Sequence, residues 1–175
     1  MGTVLVTGAT GHLGNVLVRE LIQWGQNIRV LVHPNDDLRA LQMLPIEVFY
    51  SDVRDDFSDA LSGVETLFHL ASIISITPSR KKQLYSVNVG GTENVISLAK
   101  RYRIPLIYVS SVHAFSEMGK GSTITEETPI DENRTIGDYA KSKAMATKLA
   151  FNAFNEGMDG FIIFPTGIFG PYDFK

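Results

Sequence analysis

Tyr139 and Lys143 stand four residues apart in Tyr139-Ala140-Lys141-Ser142-Lys143, a spacing that puts both side chains on one helix face. A phenol with an ordinary pKa of about 10 is a poor base at neutral pH. A lysine ammonium one turn away is expected to favour the phenolate and bring its proton transfer toward neutrality. A lone pair of this kind reads first as an exposed lysine beside a packed tyrosine. Ser110-Ser111 follow the apolar run Leu106-Ile107-Tyr108-Val109 and set a hydroxyl where a strand should end, although serine pairs also form ordinary turns. Asn88 interrupts the helical apolar stripe of Leu84, Gly91, Val95 and Leu98. A buried amide costs about 1–3 kcal/mol unless it is paired, so Asn88 has backbone partners, a bound water or a role in chemistry. The helix alone leaves the structural and catalytic readings of Asn88 open.

The elements that must position these groups begin at the first residues. An apolar strand from about residue 3 runs into Gly8-Ala9-Thr10-Gly11-His12-Leu13-Gly14, and residues 15–24 then repeat apolar side chains at helical spacing. Strand, glycine turn and helix together place backbone N–H groups and a helix N-terminus around a dinucleotide pyrophosphate. Glycine suits the turn because a Cβ would hold the phosphate off the backbone. The spacing is G-x-x-G-x-x-G, a variant of the usual G-x-G-x-x-G fingerprint.

Strands and helices alternate along the rest of the chain. Residues 28–32, 46–50, 64–70, 106–110 and 161–164 are near-continuous apolar runs, as expected for strands buried on both faces of a parallel sheet. Helical patterns fall at 38–44, 55–61, 81–102 and 136–155. The last has a capping-box pattern at Thr135-Ile136-Gly137-Asp138 and a stop at Gly157. Trp24, Phe151 and Phe154 are assigned to helix-to-sheet packing. Right-handed crossovers then give an α/β fold, a Rossmann-type doubly wound parallel sheet with helices on both faces. The polar stretch 116–134 has no clear period. It leaves the carboxyl end of a strand, where such folds bind ligands, and reads as a functional loop or a disordered insertion.

At 175 residues the chain suits one well-cored domain. A net charge of −3 offers no basic field for nucleic acid. The absence of cysteine excludes disulfides, thiolate metal sites and cysteine nucleophiles. The four histidines His12, His33, His69 and His113 fall near strand ends without ligand spacing, so they read as pocket-lining or solvated rings and no metal is expected. Of these, His113 is the one expected near substrate. The early first strand leaves no room for a signal peptide, and the longest apolar stretch is interrupted by polar residues. The expectation is a soluble, cytoplasmic protein that binds no membrane.

The motifs occur in one chain order: Gly8-x-x-Gly11-x-x-Gly14, Asp52-Val53, His69-Leu70-Ala71-Ser72, Asn88, Ser111, Tyr139-x-x-x-Lys143 and Pro165-Thr166-Gly167-Ile168-Phe169-Gly170-Pro171. In this it resembles the extended short-chain dehydrogenase/reductase superfamily, which includes nucleotide-sugar epimerases, dehydratases and dihydroflavonol-reductase-like enzymes. The resemblance implies Tyr139 as acid/base, Lys143 as ribose ligand, Ser111 as the group orienting the reacting oxygen and Asn88 as support for a proton relay. It further implies cofactor contacts from Gly8, Thr10, Gly11, His12, Leu13 and Gly14, with His12 and Leu13 offering N–H groups to the pyrophosphate. Asp52 and Val53 would lie on the adenine, Leu70, Ala71 and Ser72 beside a ribose, and Pro165 to Ile168 along the nicotinamide.

The second strand ends on His33, where NAD-selective members usually carry a carboxylate. Arg39 could approach a 2′-phosphate there, while Asp36 and Asp37 oppose one, and the balance favours NADP over NAD. Residues 1–175 therefore read as a dinucleotide-binding domain with its catalytic residues but without the C-terminal substrate region of extended members. The expected partner is a small-molecule substrate, with a homodimer compatible. Hydride transfer between a hydroxyl or carbonyl carbon and nicotinamide is the leading activity, as ketone reductase or as nucleotide-sugar epimerase/dehydratase. A non-catalytic NAD(P)-binding regulator and an inactive truncated fragment are the competing readings.

Overall fold

The computed structural model describes residues 2–75, 77–119 and 121–173. Six parallel strands form one sheet in the order β3-β2-β1-β4-β5-β6. In chain order the elements are β1 (Thr3–Thr7), α1 (His12–Gln23), β2 (Asn27–Val32), β3 (Ile46–Tyr50), β4 (Val64–His69), α2 (Lys81–Tyr85), α3 (Thr92–Tyr102), β5 (Leu106–Val109), α4 (Asp138–Asn155) and β6 (Gly160–Ile163). Strand order reverses at β1, between β2 and β4, so a crevice opens at the carboxyl ends of those strands.

Strand alternation divides the core in two. Val4 and Val6 point to one face with Val18, Leu21, Ile28, Val30 and Val32, under α1. Leu5 points to the other with Leu67, Val95, Leu106, Tyr108, Ala146 and Ala150, under α3 and α4. Helices therefore cover both faces, the doubly wound arrangement expected from the alternating pattern. Apart from Lys143, the buried residues on α4 are small, among them Ala144, Ala146, Ala150 and Ala153, so this helix packs closely.

The structure departs from the sequence expectations at several points. The helical stretch 81–102 is broken: α2 passes through a wide π-type turn, Ser86–Gly91, before α3 begins. Asn88 lies in that turn. The patterns at 38–44 and 55–61 shrink to single 3-10 turns, Arg39–Leu41 and Ser58–Leu61. Thr135 caps nothing. Gly137, at φ 90°, turns the chain into α4, and the Thr135 hydroxyl instead donates to the Glu132 carbonyl, 3.1 Å away. The start of α4 is held by Asp138, which pairs with Lys81 at 2.9 Å and suits the positive end of the helix dipole. Strand β6 is a sheet edge with Phe161 and Ile163 exposed, not a strand buried on both faces. Trp24, 70% exposed, packs on no sheet. The stretch 116–134 holds only the 3-10 turn Glu132–Arg134 among its described residues. No helix among the described residues is long and apolar enough to cross a membrane.

Candidate active site

The crevice at the reversal point encloses about 1000 Å³. Its floor is the turn between β1 and α1. Gly8 has φ +71°, and a Cβ there would meet the Leu70–Ala71 backbone at 2.6–2.8 Å. The Gly11 amide closes the turn on the Gly8 carbonyl at 3.1 Å. On Gly14 a Cβ would stand 2.2 Å from the Gly8 carbonyl oxygen, whereas on Gly11 it would meet only that oxygen, at 3.3 Å. Gly14 is thus required by packing of helix on strand, and Gly11 keeps the crevice side of the turn bare. No side chain caps α1, so the amides of its first turn, at His12, Leu13 and Gly14, point outward as donors. A bare backbone cradle at a helix N-terminus fits a pyrophosphate.

Every cofactor-contact residue expected from sequence lines this one crevice: Gly8, Thr10, Gly11, His12, Leu13, Gly14, His33, Asp52, Val53, Leu70, Ala71, Ser72, Tyr139, Lys143, Pro165 and Ile168. Pro165 is placed by the continuation of β5 against β6, since the Val112 amide donates to its carbonyl at 3.1 Å. At the far end His33 stands 3.5 Å from the Asp52 carboxylate, which Arg54 also grips from two residues along the chain. The Arg54 guanidinium holds the Asp52 carboxyl below its ordinary range. Arg54 was not singled out in the sequence; its position two residues after a strand-end aspartate is the signal that could have found it.

Ser111, Tyr139 and Lys143 enter the same crevice from the opposite wall. The two serines after β5 part ways because successive residues face opposite sides. Ser110 is buried and hydrogen-bonded to Thr147 on α4. Ser111 faces the crevice, accepts the His113 amide at 3.2 Å, and its hydroxyl opposes the upward shift of the Tyr139 phenol. His113 lines the crevice and meets Tyr139 edge-on, ring centres 6.3 Å apart.

The electrostatics differ from the sequence expectation. Burial pushes the Tyr139 phenol above its ordinary range, and only the Ser111 hydrogen bond opposes that. Lys143, only 3% exposed, is not among the groups that lower it. Its Nζ donates to the Val109 carbonyl at 2.9 Å and lies over the Tyr108 ring, 4.7 Å from the centre. Desolvation pushes Lys143 down to about 7.

Asn88 is outside the crevice lining. Its side-chain oxygen accepts from the Ile73 amide at 2.7 Å, and its amide donates to the Ile73 carbonyl at 2.9 Å and to Ser142 Oγ at 3.0 Å. Ser142 in turn donates to the Tyr139 carbonyl at 2.7 Å. The side chain of Asn88 therefore ties the loop after β4 to the helix that carries Tyr139. His69 is neither pocket-lining nor solvated. It is fully buried behind the site, and burial pushes its pKa down to about 3.

Residues 5–175 match the 3-beta hydroxysteroid dehydrogenase/isomerase family. The chain belongs to that family. Within the extended short-chain dehydrogenase/reductase resemblance read from the motifs, the match narrows the neighbourhood. Sterol demethylase protein B of Methylococcus capsulatus is 36% identical over 99% of this chain and 53% of its own length. A putative dihydroflavonol 4-reductase of Synechocystis is 36% identical over 97% of this chain and 50% of its own. The crystal structure of gox2253 superposes with a TM-score of 0.87 at 31% identity, covering 94% of this chain and 51% of that one. This 3-beta hydroxysteroid dehydrogenase/isomerase family chain spans about half the length of the curated relatives it matches.

Proposed function

We propose that this chain is the dinucleotide-binding, catalytic half of an NAD(P)-dependent oxidoreductase that interconverts a secondary alcohol and a ketone. The observation that carries the reading is convergence: Ser111, Tyr139 and Lys143 reach one crevice whose opposite wall is the bare glycine turn. When bound, the nicotinamide supplies or accepts the hydride. In the reducing direction Tyr139, protonated at neutral pH because burial raises it, gives its phenolic proton to the carbonyl oxygen. Ser111 holds that oxygen beside the phenol, and Lys143 binds the ribose next to it. In the oxidising direction the phenolate takes the alcohol proton, and a cation brought beside it, from Lys143 or the oxidised ring, is what makes that feasible near neutrality.

The names of the relatives, with a 3-beta-hydroxysteroid dehydrogenase/isomerase of Mycobacterium tuberculosis among them at 31% identity, support a ring-borne hydroxyl or ketone on an apolar polycyclic skeleton. Between the two dinucleotides, the sequence favoured NADP on the strength of His33 and Arg39. The geometry supports NAD. Arg39 is ion-paired with Asp37 and is not among the crevice residues, whereas the Asp36 carboxylate lines the crevice, held there by Thr10. A crevice-lining carboxylate in the loop after β2 is placed to bond a 2′-hydroxyl and to repel a 2′-phosphate.

The test is titration of the chain with NADH and NADPH, followed by NAD-linked oxidation of 3β-hydroxysteroids and reduction of cyclic ketones. Saturable NADH binding and turnover lost in Tyr139→Phe are expected. Binding without turnover, unchanged by that substitution, would leave a nucleotide-sensing protein instead.

A further inference from the structure

Lys143 poses a problem that the reaction alone does not solve. Its ammonium is 3% exposed and, among the described residues, has one hydrogen-bond partner, the neutral Val109 carbonyl. No carboxylate contributes to its electrostatics. A buried cation with a single carbonyl is far from compensated. The ammonium also lies over the face of Tyr108, with Nζ 4.7 Å from the ring centre, within cation–π range.

That ring is unusually fixed. Tyr108 is 1% exposed, and His69 stacks on it with centres 5.6 Å apart and planes at 23°. His69 is itself locked. Its Nε2 lies 3.0 Å from the Thr92 hydroxyl, which donates to the Asn88 carbonyl at 2.7 Å and so must accept from Nε2–H. Its Nδ1 is then the acceptor of the Thr7 hydroxyl at 2.8 Å, and that hydroxyl accepts the Ala71 amide at 3.2 Å. Every proton in this chain has one place to be, and the imidazole is neutral, so it does not repel the nearby ammonium. The Tyr108 hydroxyl makes no hydrogen bond of good geometry, although the hydroxyls of Thr92, Ser110 and Thr147 surround it. The ring face, not the hydroxyl, is the part of Tyr108 that Lys143 uses.

We propose that Tyr108 is a positioning residue: its ring, backed by the tautomer-locked His69, is the shelf that holds the Lys143 ammonium at the cofactor crevice. The titratable groups around that ammonium are His69 from β4, Tyr108 from β5 and Tyr139 from α4. The role in cofactor binding rests on the proposed function; the shelf itself does not.

The experiment is an NMR titration of protein carrying 13C,15N-labelled lysine, with the Lys143 signal assigned by its loss in Lys143→Arg, alongside NADH binding. Tyr108→Phe keeps the ring and should leave the Lys143 midpoint in place and NADH affinity within about twofold. Tyr108→Leu removes the face that favours the charged form and should lower the midpoint by about half a pH unit or more, with several-fold weaker NADH binding. Tyr108→Met, which refills the volume with an unbranched side chain, gives a second ring-less variant if the leucine protein does not fold. An unchanged midpoint in the ring-less variants overturns the proposal, as does a loss already complete in Tyr108→Phe. Should the unmodified protein fail to bind NADH, the proposed function falls while the midpoint still decides the shelf.

Discussion

The Thr10 hydroxyl donates to the Asp36 carboxylate at 2.8 Å, joining the glycine turn after β1 to the loop after β2, 26 residues away in sequence. Both residues line the crevice, so one contact joins its floor to the charge on its β2 side.

Asp36→Ser should therefore change cofactor choice and not fold. NADPH affinity is expected to rise about tenfold or more relative to NADH, because a carboxylate facing the 2′ position is gone. Paired titrations of both cofactors check this. An unchanged ratio would remove Asp36 from cofactor selection. His33→Asp, which adds a carboxylate beside the same position, should move the ratio the other way.

Tyr139→Phe should leave NADH binding intact and cut turnover on the order of 10²–10⁴-fold. Because burial raises the phenol, it stays protonated through neutrality. Ketone reduction should accordingly hold its rate until alkaline pH, while alcohol oxidation should climb as pH rises. A pH–rate profile in both directions tests the sign, and an oxidation rate that falls with rising pH would contradict it.

The two glycines of the turn should fail differently. In Gly14→Ala the new Cβ meets the Gly8 carbonyl at 2.2 Å, so thermal stability should drop. In Gly11→Ala its one protein neighbour is that same oxygen at 3.3 Å. That variant should fold nearly as well as the parent yet lose dinucleotide affinity at least tenfold. Melting curves with and without NADH separate the two, and equal loss of stability in both would count against the cradle.

His69 makes the fold acid-sensitive. Its pKa is about 3 when folded against an ordinary 6.5, so the unfolded chain binds the extra proton between those values and stability falls as pH drops from 6.5 toward 3. The loss is on the order of a few kcal/mol. Denaturant unfolding at steps across this window should show a flatter slope for His69→Gln than for the parent. Parallel slopes would mean that the imidazole is not neutral in the folded protein.

Lys143 should show the stability cost of a site. Its folded pKa near 7 against 10.5 means that the unfolded chain again holds more protons in that window, so stability is lost as pH falls from 10.5 to 7. Lys143→Met should be more stable than the parent at neutral pH, by an amount that shrinks toward pH 10.5. The same substitution should weaken NADH binding. If the methionine protein is less stable at pH 7, burial of the ammonium is not costly and the premise fails.

Much of this protein was legible in its residues taken in order. Parallel strands buried between helices need apolar runs, and a phosphate turn needs glycine at fixed spacing, so strand positions, doubly wound class and crevice residues could be read along the chain. It was the family resemblance that singled out Ser111 over Ser110; the fold buries Ser110 against Thr147. The wide turn that carries Asn88, the cap that Thr135 does not make and the bare edge at β6 were not legible, because each depends on which element packs beside it. The same holds for charge. Sequence put Lys143 one turn from Tyr139, but only the folded chain turned its ammonium toward Val109 and Tyr108, tied Arg39 to Asp37 and set Asp36 on the crevice wall. A helical repeat specifies which face a side chain leaves from. Where its charged end comes to rest depends on burial and on partners far away in sequence, and those exist only once the sheet has formed.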